Sequence, residues 1–227
     1  MTTALNDLVF LVDVDNTLID NDGVREDFRR DIARAYGTAY RDRYWDIQES
    51  LFKSLGYRDY LGAAQRLWLD SGCDMELLSL PAYLLDYPFA GRLYPGALDV
   101  LKHLRNSGPT VILTDGDAIF QPHKIERSGL ARAVDGRILI YIHKEDALDD
   151  IKRRYPARHY VLLDDKLHIL SAFKTAWGKT VTTVFPRQGS FASDPAESAG
   201  SPAADLAIEK IGELLTIDFT GHLSSTV

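Results

Sequence analysis

Five apolar runs stand apart along the chain: Leu8–Val12, Thr110–Leu113, Ile138–Tyr141, Tyr160–Leu163 and Val181–Phe185. A shorter one, Leu206–Ile208, follows them and is expected as a last edge strand. Continuous rather than alternating hydrophobicity predicts strands buried on both faces, as in a parallel sheet. Between the runs the apolar spacing becomes helical. Ala97, Leu98, Leu101 and Leu104 share one face, with Pro95 just ahead and Gly108 just behind. Similar patterns cover Ile119–Ser128, Asp146–Tyr155 and Leu167–Trp177, closing before Gly129, Pro156 and Gly178. Strand and helix in alternation predict an α/β fold, a doubly wound parallel sheet. In such sheets the site lies beyond the carboxyl ends of the strands.

One stretch breaks the alternation. From Ile19 to Arg92 no strand run occurs, and the spacing predicts helices over Glu26–Tyr36, Ala39–Leu55, Tyr60–Leu69 and Met75–Leu85. The expected division is therefore an α/β core made of residues 1–19 and 93–227, with an inserted all-helical subdomain over 20–92. Asp20, Asn21, Asp22 and Gly23 predict a turn at the entry to that subdomain, placed to act as its hinge. The Ser-, Ala-, Gly- and Pro-rich stretch from Gln188 to Ala203 predicts a long loop. The aromatic residues of the helical stretch, among them Tyr36, Tyr40, Tyr44, Trp45, Tyr57, Tyr60 and Trp68, are expected mostly to pack its helices together, with a few on the substrate side.

Composition adds boundaries. Of 227 residues, 45% are hydrophobic and 26% charged, an ordinary balance that fills a core. The net charge of −7 argues against a broad nucleic-acid footprint, and Arg25 to Arg34, mixed with acids, predicts a solvated helix face. The single cysteine, Cys73, excludes an intramolecular disulfide and a cysteine-based metal site; it is expected as a small, buried or half-buried apolar residue. The opening residues lack a basic stretch followed by a long apolar run, and no run approaches the ~20 residues that span a bilayer. A soluble cytoplasmic protein that does not bind membranes is expected.

The chemistry sits at the strand ends. Asp13 and Asp15, at spacing two, follow the first apolar run directly. A strand end turning into a loop can aim both carboxylates into one opening, although the pair alone fits an ordinary polar strand terminus equally well. Thr114 then closes the second run, with Asp115-Gly116 behind it, offering a hydroxyl and open backbone N–H groups to a phosphate oxygen. Lys144 follows the third run and can neutralise dianion charge. Asp164-Asp165 closes the fourth, and facing carboxylates make an oxygen-rich site suited to a hard cation, preferably magnesium (Mg2+).

Here the sequence resembles the haloacid dehalogenase (HAD) superfamily. Asp13-Val14-Asp15-Asn16-Thr17-Leu18 matches its first motif, Leu113-Thr114 the second, Lys144 the third and Leu163-Asp164-Asp165 the fourth. The resemblance covers the core, roughly residues 7–19 and 93–217, and the helical stretch looks like that superfamily's C1 cap. It implies a Rossmann-like core with a helical cap and a magnesium-dependent phosphatase for a small phosphorylated metabolite. Asp13 would be the nucleophile and Asp15 the general acid and base. Thr114, Asp115 and Lys144 would hold the phosphate. Asp13, the backbone carbonyl of Asp15, Asp164 and Asp165 would hold the metal.

Two features depart from the usual pattern. Asp115 stands where many relatives carry Asn, which adds an acid near the phosphate. Lys144 lacks the proline that commonly follows, reading His143-Lys144-Glu145-Asp146, so Lys124 is a rival phosphate ligand, with Lys144 preferred. His143 is the one histidine expected near the site. Arg187, after the fifth run, would either touch substrate or cap, or be a surface loop residue. Two other functions fit part of the pattern. A phosphomutase would use the same aspartate, and a phospho-acceptor protein gathers similar residues but lacks the D-x-D-x-T spacing and the insertion. A dehalogenase has no use for a second acid at Asp15 or for a metal.

Overall fold

The computed structural model describes residues 5–193 and 202–219. Its centre is a six-stranded, all-parallel sheet in the order β3-β2-β1-β4-β5-β6. The strands are β1 (Asn6–Val12), β2 (Thr110–Asp115), β3 (Ile138–Tyr141), β4 (Ala157–Leu163), β5 (Val181–Pro186) and β6 (Leu206–Ile208). The apolar runs locate all six; β2 continues through Thr114 and Asp115, because their backbone still pairs with β3. Successive residues of β1 serve opposite layers. Leu8, Phe10 and Val12 join the layer that includes the helical segment, whereas Val9 and Leu11 pack with Ile169, Phe173 and Trp177. That two-sided burial is why the strands read as unbroken apolar runs.

The chain winds from β1 through β2 to β3 in one direction and from β4 through β5 to β6 in the other. The reversal falls between β1 and β4, where ligands of open parallel sheets bind. Val12 is in register with Leu163 on one side and Ile112 on the other. Asp13 and Asp164 are therefore brought to the same edge, with Thr114 beside them.

Between β1 and β2 lie α1 (Asn21–Tyr36), α2 (Thr38–Leu55), α3 (Tyr60–Asp70) and α4 (Leu80–Asp86), and the chain returns where Leu93 bridges Ile19. The expected turn over Asp20 to Gly23 is instead the N-terminus of α1. Asp20 accepts the Gly23 N–H at 2.9 Å, and Asn16 Oδ1 accepts those of Asn21 and Asp22 at 3.0 and 3.2 Å. Three of the four free N–H groups of a helix start are thereby satisfied, and the helix begins five residues earlier than its apolar pattern. Asn16 does this from a left-handed backbone, φ 58°. The single helix expected over Met75–Leu85 is split: a 3₁₀ turn, Met75–Ser79, precedes α4, because Pro81 has no N–H to continue the ladder.

The remaining helices are α5 (Ala97–Leu104), α6 (Phe120–Arg127), α7 (Leu130–Ala133), α8 (Leu148–Arg154), α9 (Leu167–Trp177) and α10 (Gly189–Ser193). The last occupies the start of the loop expected over Gln188–Ala203; positions 194–201 of that loop lie outside the described residues. Cys73 is exposed rather than buried, because it sits in the tight turn after α3 with φ 64°. Tyr44, Trp45 and Tyr60 are buried among the helices. Among the described residues no helix is long and apolar enough to cross a membrane.

Candidate active site

Asp13 is the first residue past β1 and is anchored by its N–H, which donates to the Leu163 carbonyl at 3.0 Å. The residue is 5% exposed. Asp164 and Asp165 lie against it at the end of β4, and one carboxylate oxygen from each of the three falls within 4.8 Å of the others. Lys144 reaches in from a 3₁₀ turn after β3. Its Nζ donates to Asp13 Oδ1 at 2.6 Å and lies 2.6 Å from Asp164 Oδ2. Burial alone would lower this lysine's pKa, but Asp13, Asp164 and Asp115 together hold it well above the ordinary value. The cluster is thus three buried carboxylates with the Lys144 ammonium in contact and the charge of Lys166 acting from further off.

The charge count is unbalanced. Burial, with the charges of Asp13 and Asp164, pushes the Asp165 carboxyl well above the carboxylate range. Neither Asp165 oxygen has a hydrogen-bond partner, although both are buried. Leaving two buried acceptors unsatisfied costs on the order of a few kcal/mol. A hard divalent cation bound by Asp13, Asp164 and Asp165 removes that cost, since all the ligand atoms are oxygens. The residues present therefore fit a magnesium ion.

The phosphate side is equally ordered. Thr114 accepts a hydrogen bond from Gln121 Nε2 at 3.0 Å, and its own hydroxyl donates only at long range, to the Asp115 carbonyl at 3.4 Å, a weak bond that a phosphate oxygen can replace. Gly116 brings the chain so close to Gln121 that an added Cβ would meet the Gln121 Cβ at 2.7 Å. Asp115 does not carry its side chain into the open pocket. Its Oδ1 accepts the backbone N–H of Lys144 at 2.8 Å, so it fixes the lysine's turn. Burial raises its pKa, against the Lys144 charge.

Asp15 stands apart from the carboxylate cluster. Its Oδ1 accepts from Lys124 Nζ at 2.5 Å, and the same ammonium donates to Asn21 Oδ1 at 3.2 Å. Lys124 is 1% exposed. The two candidate lysines thus serve two different acids: Lys144 meets Asp13 and Lys124 meets Asp15. His143 is close in sequence to the site, but its ring lies against Gly56 of the helical segment. Arg187 is outside: its exposed guanidinium pairs with Glu209 at 3.0 Å. Sequence reasoning missed Gln121, Asn21 and Asn16. Each is an uncharged amide in the first turn of a helix after a strand end, or in the loop before one, and that position was the available signal.

Comparisons with known proteins agree with this geometry. The family described as haloacid dehalogenase-like hydrolase matches residues 8–176. A structure from Burkholderia xenovorans LB400, described as a haloacid dehalogenase-like hydrolase, is 55% identical, with a TM-score of 0.90 over 96% of this chain and 99% of that one. The HAD-hydrolase YfnB of Bacillus subtilis, bound to magnesium, shares the fold at 16% identity and a TM-score of 0.59, covering 93% of this chain and 100% of that one. L-2-haloacid dehalogenase of Xanthobacter autotrophicus, with chloropropionic acid covalently bound, does so at 17% identity and a TM-score of 0.57, covering 93% and 97%. A search of the curated proteins returned no match. With its family matched from β1 to α9 and a relative aligned over nearly its whole length, this chain belongs to the haloacid dehalogenase-like hydrolases.

Proposed function

We propose that the protein is a magnesium-dependent phosphatase that hydrolyses a small phosphorylated metabolite through a phosphoaspartate on Asp13. The observation that carries the reading is Asp165, whose two buried oxygens lack partners beside Asp13 and Asp164. Dehalogenation through an aspartyl ester needs neither a metal nor a second acid, whereas phosphoryl transfer needs both. The fold shared with dehalogenases at under a fifth identity does not weigh against this.

The chemistry follows from the placement. A carboxylate oxygen of Asp13 attacks phosphorus as the bond to the leaving oxygen breaks. Asp15 supplies the leaving oxygen's proton; its Oδ2 is the oxygen that Lys124 does not hold. Asp15 then takes a proton from water, whose oxygen attacks phosphorus, and the bond to Asp13 breaks to release phosphate. Lys144 and the Thr114 hydroxyl bind the transferring group, and Lys144 offsets the repulsion between Asp13 and a dianion. Magnesium held by Asp13, Asp164, Asp165 and the Asp15 carbonyl would supply further screening of that repulsion. The helical segment 20–92 acts as the cap, closing over a small substrate.

The test is a magnesium-dependent phosphate-release screen across sugar phosphates, nucleotides and short phosphorylated acids, with Asp13→Asn as control and 2-chloropropionate as the dehalogenase arm. Phosphate release that depends on magnesium and Asp13 is expected. Halide release with no phosphatase activity would overturn the proposal.

A further inference from the structure

The face of the helical segment nearest Asp15 carries positive charge that phosphoryl transfer does not use. Arg25 lies one turn beyond Asn21 on α1, about 6 Å along the axis. Asn21 is tied through Lys124 to Asp15. Arg58 comes from the opposite side, in the loop between α2 and α3, two residues before Tyr60. The Tyr60 ring stacks on Phe120, with centroids 4.6 Å apart, and Phe120 adjoins Gln121, the partner of Thr114. The same loop rests on the core, where Gly56 meets the ring of His143 beside Lys144. Burial pushes the Tyr60 hydroxyl up to about 12, and the charges of Arg25, Asp15 and Arg58 all act on it. Arg25, Arg58 and Asp15 are therefore all close enough to Tyr60 for their charges to act on it.

The two guanidiniums are poorly compensated. Among the described residues Arg25 has no acidic partner; its Nε is buried without a hydrogen bond, and its Cζ lies 5.7 Å from the Trp45 ring centroid. Arg29 lies nearer the same ring, its Cζ 4.3 Å from the centroid, so Arg25 keeps only the longer contact and its donors remain unused. Arg58 has only Glu49, at 3.5 Å, and rests on Phe52. Burial, and next the charge of Arg25, lower the Arg58 pKa. Two like charges on the helical segment, close enough for one to act on the other and with donors to spare, are a recognition element for an anion.

We infer that Arg25 and Arg58 form a second anion site facing the phosphate pocket, so that the substrate is a small phosphate ester bearing a further anionic group, a carboxylate or a second phosphoryl. The inference rests on the phosphatase reading for its reacting end and on the arginine pair for the other. Arg25 and Arg58 are specificity residues, remote from the breaking bond.

The experiment compares three esters that differ only in the tail: 2-hydroxyethyl phosphate, phosphoglycolate and ethylene glycol bisphosphate. One charge-assisted contact corresponds to about a 10- to 100-fold preference. Wild-type kcat/KM with magnesium is expected to favour one anionic ester by that factor, and which one identifies the tail. In Arg25→Gln and Arg58→Gln the ratio of anionic to neutral ester falls tenfold or more, through KM; Arg25→Lys keeps part of it. Equal use of all three esters, or a ratio unmoved by either substitution, would overturn the inference. Calorimetric binding of the same esters to Asp13→Asn protein with magnesium gives the ratio without turnover. Preferential binding lost in the arginine variants, in a protein that releases no phosphate, would sink the phosphatase reading and leave the anion site standing. No preference in binding would remove the anion site.

Discussion

Lys144 and Asp13 are 131 positions apart in sequence, and their Nζ and Oδ1 atoms are 2.6 Å apart in a setting where each is at most 5% exposed. The sheet order makes this contact, since β1 and the turn after β3 flank β2. It ties the charge balance of the site to the stability of the fold.

Removing that ammonium should cost both. Lys144→Met leaves Asp13 and Asp164 buried without their contacting ammonium and with only the Lys166 charge to offset them, which destabilises by about 3–5 kcal/mol in metal-free protein. Excess magnesium should restore part of that loss, because a cation can stand in for the lysine as a charge. It should not restore turnover, which is expected to fall by about 100-fold or more. Denaturant midpoints with and without magnesium, beside phosphate-release rates, check both halves. An unchanged midpoint in metal-free protein would refute the electrostatic account.

Magnesium and protons should compete at Asp164. Burial pushes this carboxyl up to about 6 in metal-free protein, with Lys144 opposing and Asp13 adding to the rise. An acid raised above its unfolded value of about 4 contributes stability below that value and loses it as pH climbs to about 6. Metal binding needs the ionised form, so stabilisation by magnesium should grow across the same window and level off above it. A metal concentration ~100-fold over Kd would add about 2.7 kcal/mol. Melting temperatures with and without magnesium, below and above that window, measure this. In Asp165→Asn the magnesium increment should shrink at every pH.

If Asp15 protonates the leaving oxygen, its loss should matter most when that oxygen leaves badly. Asp15→Asn is expected to slow alkyl phosphates by about 100- to 10,000-fold and p-nitrophenyl phosphate far less. Rates for the two ester types in the same variant decide it. Equal losses would assign Asp15 a structural role alongside Lys124.

Asp27 on α1 bonds to Arg92, Tyr87 and Arg30, joining the start of the helical segment to the strand of chain that leaves it. Burial would raise its pKa, but these hydrogen bonds outweigh burial and hold it at about 2. A depressed carboxyl contributes stability above its unfolded value of about 4, and that contribution is lost as pH falls towards 2. With Arg92 partly solvated, the contribution is on the order of 1–2 kcal/mol. Asp27→Asn should therefore unfold more easily at neutral pH, and its stability should depend less on pH between 4 and 2 than the parent's. Chemical denaturation across that range checks the slope.

The strands were readable because burial on both faces leaves a one-dimensional mark, as in Leu8–Val12. The sequence placed Asp13, Thr114, Lys144 and the Asp164-Asp165 pair at strand ends, and a parallel sheet gathers strand ends at one edge. The pairing of lysines with acids was not legible, because it depends on side chains from α6 and from the turn after β3 crossing β2. The early start of α1 was hidden for a similar reason: its caps, Asn16 and Asp20, are polar residues that read as a turn. Cys73 was misplaced because φ 64° in a tight turn overrides a thiol's usual preference for the interior. Arg25 looked like part of a solvated face, and only the fold brings Arg58 to it.

The central claim is that Asp13 carries the phosphoryl group during turnover. Rapid quenching of the magnesium-loaded protein with radiolabelled p-nitrophenyl phosphate, followed by peptide mapping, tests it most directly. The account predicts a hydroxylamine-sensitive label on the peptide containing Asp13, decaying at the rate at which phosphate appears, and absent in Asp13→Asn. Steady phosphate release with no label at Asp13 at any time, or full turnover in Asp13→Asn, would contradict it.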